Sequence, residues 1–206
     1  MKKILIPALC TFCITPAIAD EAVVRPYIGA NINFDFISYS PYMEDVMDNS
    51  GLHFSDSYFG IGLEAGVKFG DKNNIWNGGV AIAYDYAFDT SASVTNSYIK
   101  NAESGFSAWN IGFDNYIRVD DKDSKRTDLI FGIGVGKGTE RSYWSIPDFI
   151  TVDEKESTTM IVLKFGTNIQ LNETVDWYTT LRDFIPSKDE IIKNVISIQT
   201  GIKLNF

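Results

Sequence analysis

The stretch at residues 59–69, FGIGLEAGVKF, decides the fold. Every second residue in it is apolar, whereas the residues between them are glycine, glutamate or lysine. Strict alternation of this kind is the pattern of a β-strand with one apolar and one polar face. A helix would instead repeat its apolar residues every three or four positions.

The same alternation recurs on both sides of this stretch. It predicts eight strands, at residues 27–36, 59–69, 80–88, 108–119, 129–136, 160–171, 175–182 and 196–206. Short polar turns lie at 71–77, 120–127 and 172–174, whereas the connections at roughly 38–57, 89–105, 140–157 and 185–194 are long. This alternation of length is typical of outer-membrane barrels, which have short periplasmic turns and long extracellular loops.

Alternation alone leaves open whether the apolar face points into a soluble barrel or out into lipid. The polar face carries at least ten of the 16 glycines, which fits the crowded interior of a narrow barrel. Aromatic residues lie near strand ends on the apolar face, as membrane interfaces require, and the last strand runs to Phe206. We therefore predict an all-β fold, an eight-stranded antiparallel up-and-down transmembrane β-barrel.

The first nineteen residues have the features of a secretory signal peptide. Two lysines precede an apolar run at residues 4–14, and residues 17–19 form an A-x-A cleavage site. The predicted organisation is a cleaved segment, 1–19, followed by a barrel domain, 20–206. Both cysteines, Cys10 and Cys13, belong to the cleaved segment, so disulfide and thiol chemistry are not expected in the mature chain.

Cleavage at this site places the mature N-terminus at Asp20. We expect N-terminal sequencing of the purified protein to begin at Asp20, and the protein to fractionate with outer membranes. Recovery as a soluble periplasmic species would contradict the membrane assignment.

The charge balance argues against nucleic acid as a partner. The chain has 18 basic and 27 acidic residues, a net charge of −9, and no long basic run. Removing Lys2 and Lys3 with the signal segment makes the mature net charge −11. An electrostatic nucleic-acid footprint is therefore missing.

Ten charged residues fall on the lumen face when the faces are assigned by alternation. They are Asp35, Glu64, Lys68, Asp85, Asp114, Arg118, Lys164, Asp176, Arg182 and Lys203. Five are acidic and five are basic, so the negative excess must lie largely in loops and turns. Because unpaired charges in a narrow interior are costly, we expect a cross-strand network in which Glu64 contacts one or more of Arg118, Lys164 and Arg182. Such a network should plug the lumen.

In architecture, residues 25–206 resemble the eight-stranded outer-membrane barrel superfamily of the OmpA transmembrane-domain, OmpX and opacity-protein type. The most specific feature is the last strand, in which Ile202, Leu204 and Phe206 resemble the assembly signal read by the barrel-insertion machinery. The resemblance implies a Gram-negative cell outer membrane, contact with its lipids and lipopolysaccharide, and surface loops whose roles range from structural anchoring to adhesion and serum resistance.

Residues that could carry chemistry are few. His53 is the only histidine, and with Ser55, Asp56 and Ser57 it offers the residue types used by lipid A-modifying barrels. Proximity in a loop sequence does not supply the required hydrogen-bond geometry, and a site with two histidine ligands is impossible. We predict no catalytic residue, no bound metal and no cofactor.

Two acidic clusters offer oxygen ligands for a hard cation. They comprise Glu44, Asp45 and Asp48 in the first long connection and Asp148, Asp153, Glu154 and Glu156 in the third. Neither has the spacing of an EF-hand, and clustered carboxylates are common on exposed loops, which favours a solvated surface.

The favoured function is that of a non-enzymatic surface barrel serving adhesion, host interaction or envelope integrity through a host or extracellular ligand at its loops. A lipid A-modifying enzyme and a small-solute channel are the alternatives. Loss of function in His53→Ala would favour the enzyme, whereas ohmic conductance in a planar bilayer would favour the channel.

Overall fold

The computed structural model describes residues 23–70, 74–94, 98–120, 126–146, 150–188 and 191–206. The predicted signal peptide, the cleavage site and Asp148 lie outside these residues. Eight long strands run through the described chain. They are β1 (Val23–Tyr39), β2 (Ser57–Gly70), β3 (Trp76–Ala87), β4 (Lys100–Asp120), β5 (Thr127–Ile146), β6 (Ile150–Gln170), β7 (Val175–Pro186) and β8 (Ile192–Asn205). The eight predicted strands are thereby confirmed.

The strands close into a ring. Each pairs antiparallel with its neighbours in sequence, and β1 pairs with β8 to complete the circle. Ile32, for example, lies between Thr200 of β8 and Ile61 of β2. Closure leaves no free sheet edge along the paired lengths, which is what a strand-built membrane protein needs.

The apolar face of every strand points outward. Among the lipid-facing side chains, Leu63 is 61% exposed and Ile111 is 47% exposed. We call this outer surface the apolar belt; further members are Ile28, Phe34, Ile61, Ile82, Trp109, Val135, Ile161, Phe165, Leu181, Ile198 and Ile202. The opposite face of the sheet lines the lumen, and its polar and charged residues are buried. In a soluble barrel the apolar face would point inward instead.

Three long connections differ from the sequence prediction. In the second, predicted as a loop at 89–105, short strands lie at Thr90–Ser91 and Ser93–Val94 and β4 already begins at Lys100. Residues 140–157, predicted as a loop, are mostly strand, because β5 and β6 continue in register from Glu140 and Glu156 to Ile146 and Ile150. Above the apolar belt the outward positions of this hairpin turn polar, as at Thr139. The hairpin therefore rises beyond the membrane, and only residues 147–149 separate the two strands.

The first long connection contains a helix, α1 (Pro41–Ser50), that the sequence analysis did not predict. The Ser40 side chain caps its start by accepting a hydrogen bond from the amide of Met43, and Pro41 suits the first turn. Gly51, with φ 69°, ends it in the left-handed conformation. Within the described residues, no helix is long and apolar enough to cross a membrane.

The last strand completes the seam of the barrel. Ile202, Leu204 and Phe206 all point outward, with Phe206 71% exposed, and the Phe206 amide donates a hydrogen bond to the Pro26 carbonyl at 2.9 Å. Phe206 thus belongs both to the closing pair of strands and to the lipid-facing surface.

Deleting Phe206 should slow insertion, because it removes the last hydrogen bond of the seam and an aromatic ring at the membrane interface. We expect less heat-modifiable, folded protein in a time course of assembly and faster digestion by trypsin. Phe206→Tyr, which keeps the ring and the backbone, is the matched control. Unchanged amounts of folded protein after the deletion would remove any special role for this residue.

Candidate functional site

Glu64 lies at the centre of the lumen and is 1% exposed. Its Oε2 accepts hydrogen bonds from Lys164 Nζ at 2.9 Å and from Arg182 Nη2. Its Oε1 lies 2.8 Å from Lys203 Nζ and accepts a hydrogen bond from the Tyr27 hydroxyl at 2.7 Å. One carboxylate therefore joins cations from three different strands.

Two further carboxylates complete this group. Arg182 Nη1 donates to Asp85 Oδ2 at 2.9 Å, and Lys164 Nζ donates to Asp114 Oδ2 at 2.8 Å. We call Glu64, Asp85, Asp114, Lys164, Arg182 and Lys203 the lumen charge cluster. It holds three acids and three bases, so opposite charges are matched inside the membrane, where unpaired ions are expensive.

Tyrosines surround the cations of the cluster. Lys203 Nζ lies 4.6 Å from the ring centre of Tyr27 and 4.7 Å from that of Tyr178, within the range of cation–π attraction. Nearer the periplasmic end, Lys68 pairs with Asp176 and lies 5.1 Å from the ring centre of Tyr116. This second pair extends the charged layer towards the periplasm.

The two remaining lumen residues lie apart from these contacts. Asp35 is buried opposite Ser197 and, within the described chain, forms no ion pair. Arg118 lies opposite Asp128 near the periplasmic turns and is not among the described partners of Glu64. The ion pairs described above join eight of the ten residues assigned to the lumen charge network.

Glycine makes room for these side chains. A Cβ atom at Gly62 would lie 2.5 Å from Asp85 Oδ1, and one at Gly132 would lie 2.3 Å from Asp114 Oδ1. Both distances are far below van der Waals contact. At these two positions, glycine therefore has a steric cause in the acid that lies across from it.

An apolar layer lies above the charges, at the extracellular end of the lumen. Its members include Ile37, Tyr39, Met47, Tyr58, Phe106, Met160, Val162, Phe184, Ile192 and Val195. Met47 belongs to α1, which thereby closes over the barrel. This layer was not predicted from the sequence, although Met160 and Val162, which interrupt the polar face of β6, indicate it.

These two layers fill the lumen. A cavity beside Glu64, lined also by Asn110 and Asp114, measures only about 10 Å³. That volume holds one water molecule at most. The arrangement suits structural sealing, since its charged groups neutralise one another and have no substrate-sized space beside them.

Within the described residues, His53 forms no hydrogen bond with a serine side chain. Its side chain is 41% exposed and its Nδ1 lies 3.9 Å from the Asp48 carboxylate, which is itself 77% exposed. The Ser55 hydroxyl donates to the carbonyl of Ser57 at 2.8 Å and so is engaged elsewhere. A serine activated by histidine would need a direct hydrogen bond between the two side chains.

The extracellular part of the chain is strongly acidic. We define the crown as residues 40–56, 88–104, 137–157 and 187–194, which contain thirteen acidic and six basic residues. Most of the net negative charge of the chain thus lies there. Within the described residues, no group of three or more His, Cys, Asp or Glu side chains is arranged to hold a metal ion.

Comparison with known proteins identifies the same architecture. Residues 5–202 match the family described as outer membrane protein beta-barrel domain. Among curated proteins, none matches the chain significantly. Ail, the attachment invasion locus protein of Yersinia pestis, crystallised with the heparin analogue sucrose octasulfate, is 14% identical, with a TM-score of 0.55 over 89% of this chain and 99% of Ail.

Two further structures are similar. Ail crystallised alone gives a TM-score of 0.52 at 14% identity, covering 88% of this chain and 98% of Ail. Neisserial surface protein A gives 0.49 at 12% identity, covering 88% of this chain and 97% of that protein.

Proposed function

The chain belongs to the outer-membrane β-barrel family, and from that membership we propose that it is a non-enzymatic surface barrel whose crown serves adhesion, host interaction or envelope integrity. Its place is the Gram-negative outer membrane. The observation that carries the proposal is the contrast between the closed interior of the barrel and its long extracellular hairpin. The lumen is filled, whereas β5 and β6 each continue for about ten residues beyond the apolar belt.

The crown is the surface on which this barrel reaches furthest beyond the apolar belt. Ten strand residues span about 33 Å along the strand. Such a hairpin presents side chains well outside the lipid, on a rigid support rather than a flexible loop. Exposed polar and aromatic residues on a rigid scaffold are the usual basis of recognition.

The ligand chemistry should differ from that of the heparin analogue found with Ail. A sulfated polyanion would meet a crown with thirteen acids and six bases, and like charges slow association and weaken binding. We therefore propose that the preferred ligand of this crown is a cationic surface.

Shortening the hairpin tests this function. Glu140 and Glu156 are register partners, so replacing residues 141–155 by Asn-Gly closes the hairpin with a two-residue turn. In a non-adherent Gram-negative host, we expect the variant to assemble normally but to lose adhesion to cultured cells or resistance of the envelope to detergent. Wild-type levels of both would contradict the proposal.

The enzyme alternative has its own test. His53→Ala should leave the adhesion or envelope phenotype unchanged, because in the described part of the chain the His53 side chain pairs only with the exposed Asp48 carboxylate. Mass spectrometry of lipid A from cells with and without the protein should show the same species. A lipid A species that depends on the protein and disappears in His53→Ala would overturn the non-enzymatic proposal.

A further inference from the structure

A larger cavity lies in the crown, between α1 and the β5–β6 hairpin. This crown pocket has a volume of about 300 Å³, the size of a small ligand site. One wall is apolar and is formed by Met43, Val46, Leu52, Phe54, Trp144 and Ile191. Glu140, Glu154 and Glu156 supply carboxylates to the lining. Tyr42, at its edge, is 71% exposed, so the pocket is reached from outside.

Glu140 is the unusual residue of the pocket. The residue is only 8% exposed, and its carboxylate forms no ion pair with any residue that the structure describes. It lies directly opposite Glu156 in the hairpin, an arrangement in which like charges repel. Burial, and then the charge of Glu156, raise the pKa of the Glu140 carboxyl to about 7. A largely buried carboxylate beside a second carboxylate is costly, and a cation in the pocket would relieve that cost.

Among the residues that the structure describes, the neighbouring elements do not supply that cation. The hydroxyls of Tyr39 and Tyr58 interact electrostatically with Glu140 but lie 3.1 Å from each other, at hydrogen-bond distance. Lys188 lines an adjacent cavity together with Glu140 and Glu156, yet within the described chain it forms no ion pair. The acids of α1, at positions 44, 45 and 48, are exposed and add negative charge nearby.

We propose that the crown pocket binds a basic side chain, a lysine or arginine flanked by apolar residues, on an extracellular peptide or protein. The proposal rests on the surface function above and names the chemistry of its ligand. The apolar stem of the side chain packs against the wall that includes Met43 and Val46. Its charged head reaches the carboxylates, and Trp144 offers an aromatic face for cation–π contact.

Peptide binding to the full-length protein in phosphatidylcholine nanodiscs tests the pocket. The probes are the acetylated, amidated tripeptides Leu-Arg-Leu and Leu-Gln-Leu, measured by calorimetry. We expect the arginine peptide to bind about tenfold more tightly or better, because hydrogen bonds to charged groups are strong. Glu140→Gln should remove that preference, whereas Glu103→Gln, an exposed crown substitution outside the pocket, should keep it.

The pH dependence provides an independent arm. With a pKa of about 7, the Glu140 carboxyl is largely ionised at pH 8 and largely protonated at pH 6. Binding of the arginine peptide should therefore weaken about tenfold between pH 8 and pH 6. In Glu140→Gln this part of the dependence should disappear.

Several results would overturn the inference. One is equal affinity of the protein for the two peptides, and another is unchanged affinity of Glu140→Gln for the arginine peptide. A third is binding that appears only in Lys188→Met, which would mean that this chain's own lysine occupies the site.

If Glu140→Gln does not fold, Val46→Lys on the exposed rim serves instead, because its lysine should fill the pocket and abolish binding. Peptide binding without any adhesion or envelope phenotype would sink the proposed function and leave the pocket intact. The reverse result would sink the pocket alone.

Discussion

Glu64→Gln is expected to lower the free energy of unfolding by about 3–5 kcal/mol, the range measured when one partner of a buried ion pair is removed. The substitution keeps the size of the side chain but leaves Lys164, Arg182 and Lys203 with two acids instead of three. An excess positive charge then remains buried in the lumen. Urea unfolding in lipid vesicles measures the effect, and the heat-modified band on gels should appear at lower temperature.

Two comparisons make this prediction specific. Glu103→Gln, on the exposed surface of β4, should change the free energy of unfolding by no more than about 0.5 kcal/mol. Adding Lys203→Met to Glu64→Gln restores equal numbers of acids and bases in the cluster and should recover part of the loss. A Glu64→Gln protein as stable as wild type would show that the cluster is ordinary polar filling.

Leu63→Arg is expected to cost about 2–4 kcal/mol, because it places a charge at mid-strand on the lipid-facing side of β2. Ser57→Arg, outward on the same strand but at its extracellular end, is the matched control and should cost about 0–1 kcal/mol. Equal costs at the two positions would contradict the depth assigned to Leu63.

Stability alone does not distinguish lipid from a protein core around Leu63, so accessibility completes the test. Because both cysteines lie in the predicted signal segment, a single introduced cysteine carries a nitroxide cleanly. A nitroxide at position 63 should be accessible to oxygen and shielded from aqueous nickel reagents, and one at position 57 should show the opposite. Reversed accessibilities would overturn the assignment of faces.

The strands were predictable because apolar and polar residues alternate wherever one face of the sheet meets lipid. Leu63 and Glu64, adjacent in sequence, fall on opposite faces as expected. The ends of β5 and β6 were not predictable by the same signal, because above the membrane the outward face turns polar, as at the paired Thr139 and Ser157, and the apolar–polar alternation is lost while the hydrogen-bond register continues. The helix α1 lacked a strong apolar stripe, although Ser40-Pro41 and Gly51 marked its ends.

The lumen contacts were predictable by face but not by depth or by position around the ring. Lys203 was assigned to the lumen, yet closure of β8 on β1 is what brings it beside Glu64. Arg118 shares the face of Asp114 but lies four residues further along β4, about 13 Å towards the periplasm. The alternation of apolar and polar residues does not indicate the depth of a side chain in the lumen or its position around the ring. Which charges pair with one another could therefore be seen only in the closed barrel.

Single-channel recording of the full-length protein in a planar bilayer tests most directly the claim that this barrel acts through its crown and not through its lumen. With the lumen charge cluster and the apolar layer in place, the wild type should show at most rare, small openings, and Glu64→Gln should open more often. Sustained, large ohmic conductance of the wild type would contradict a sealed lumen and make the protein a channel.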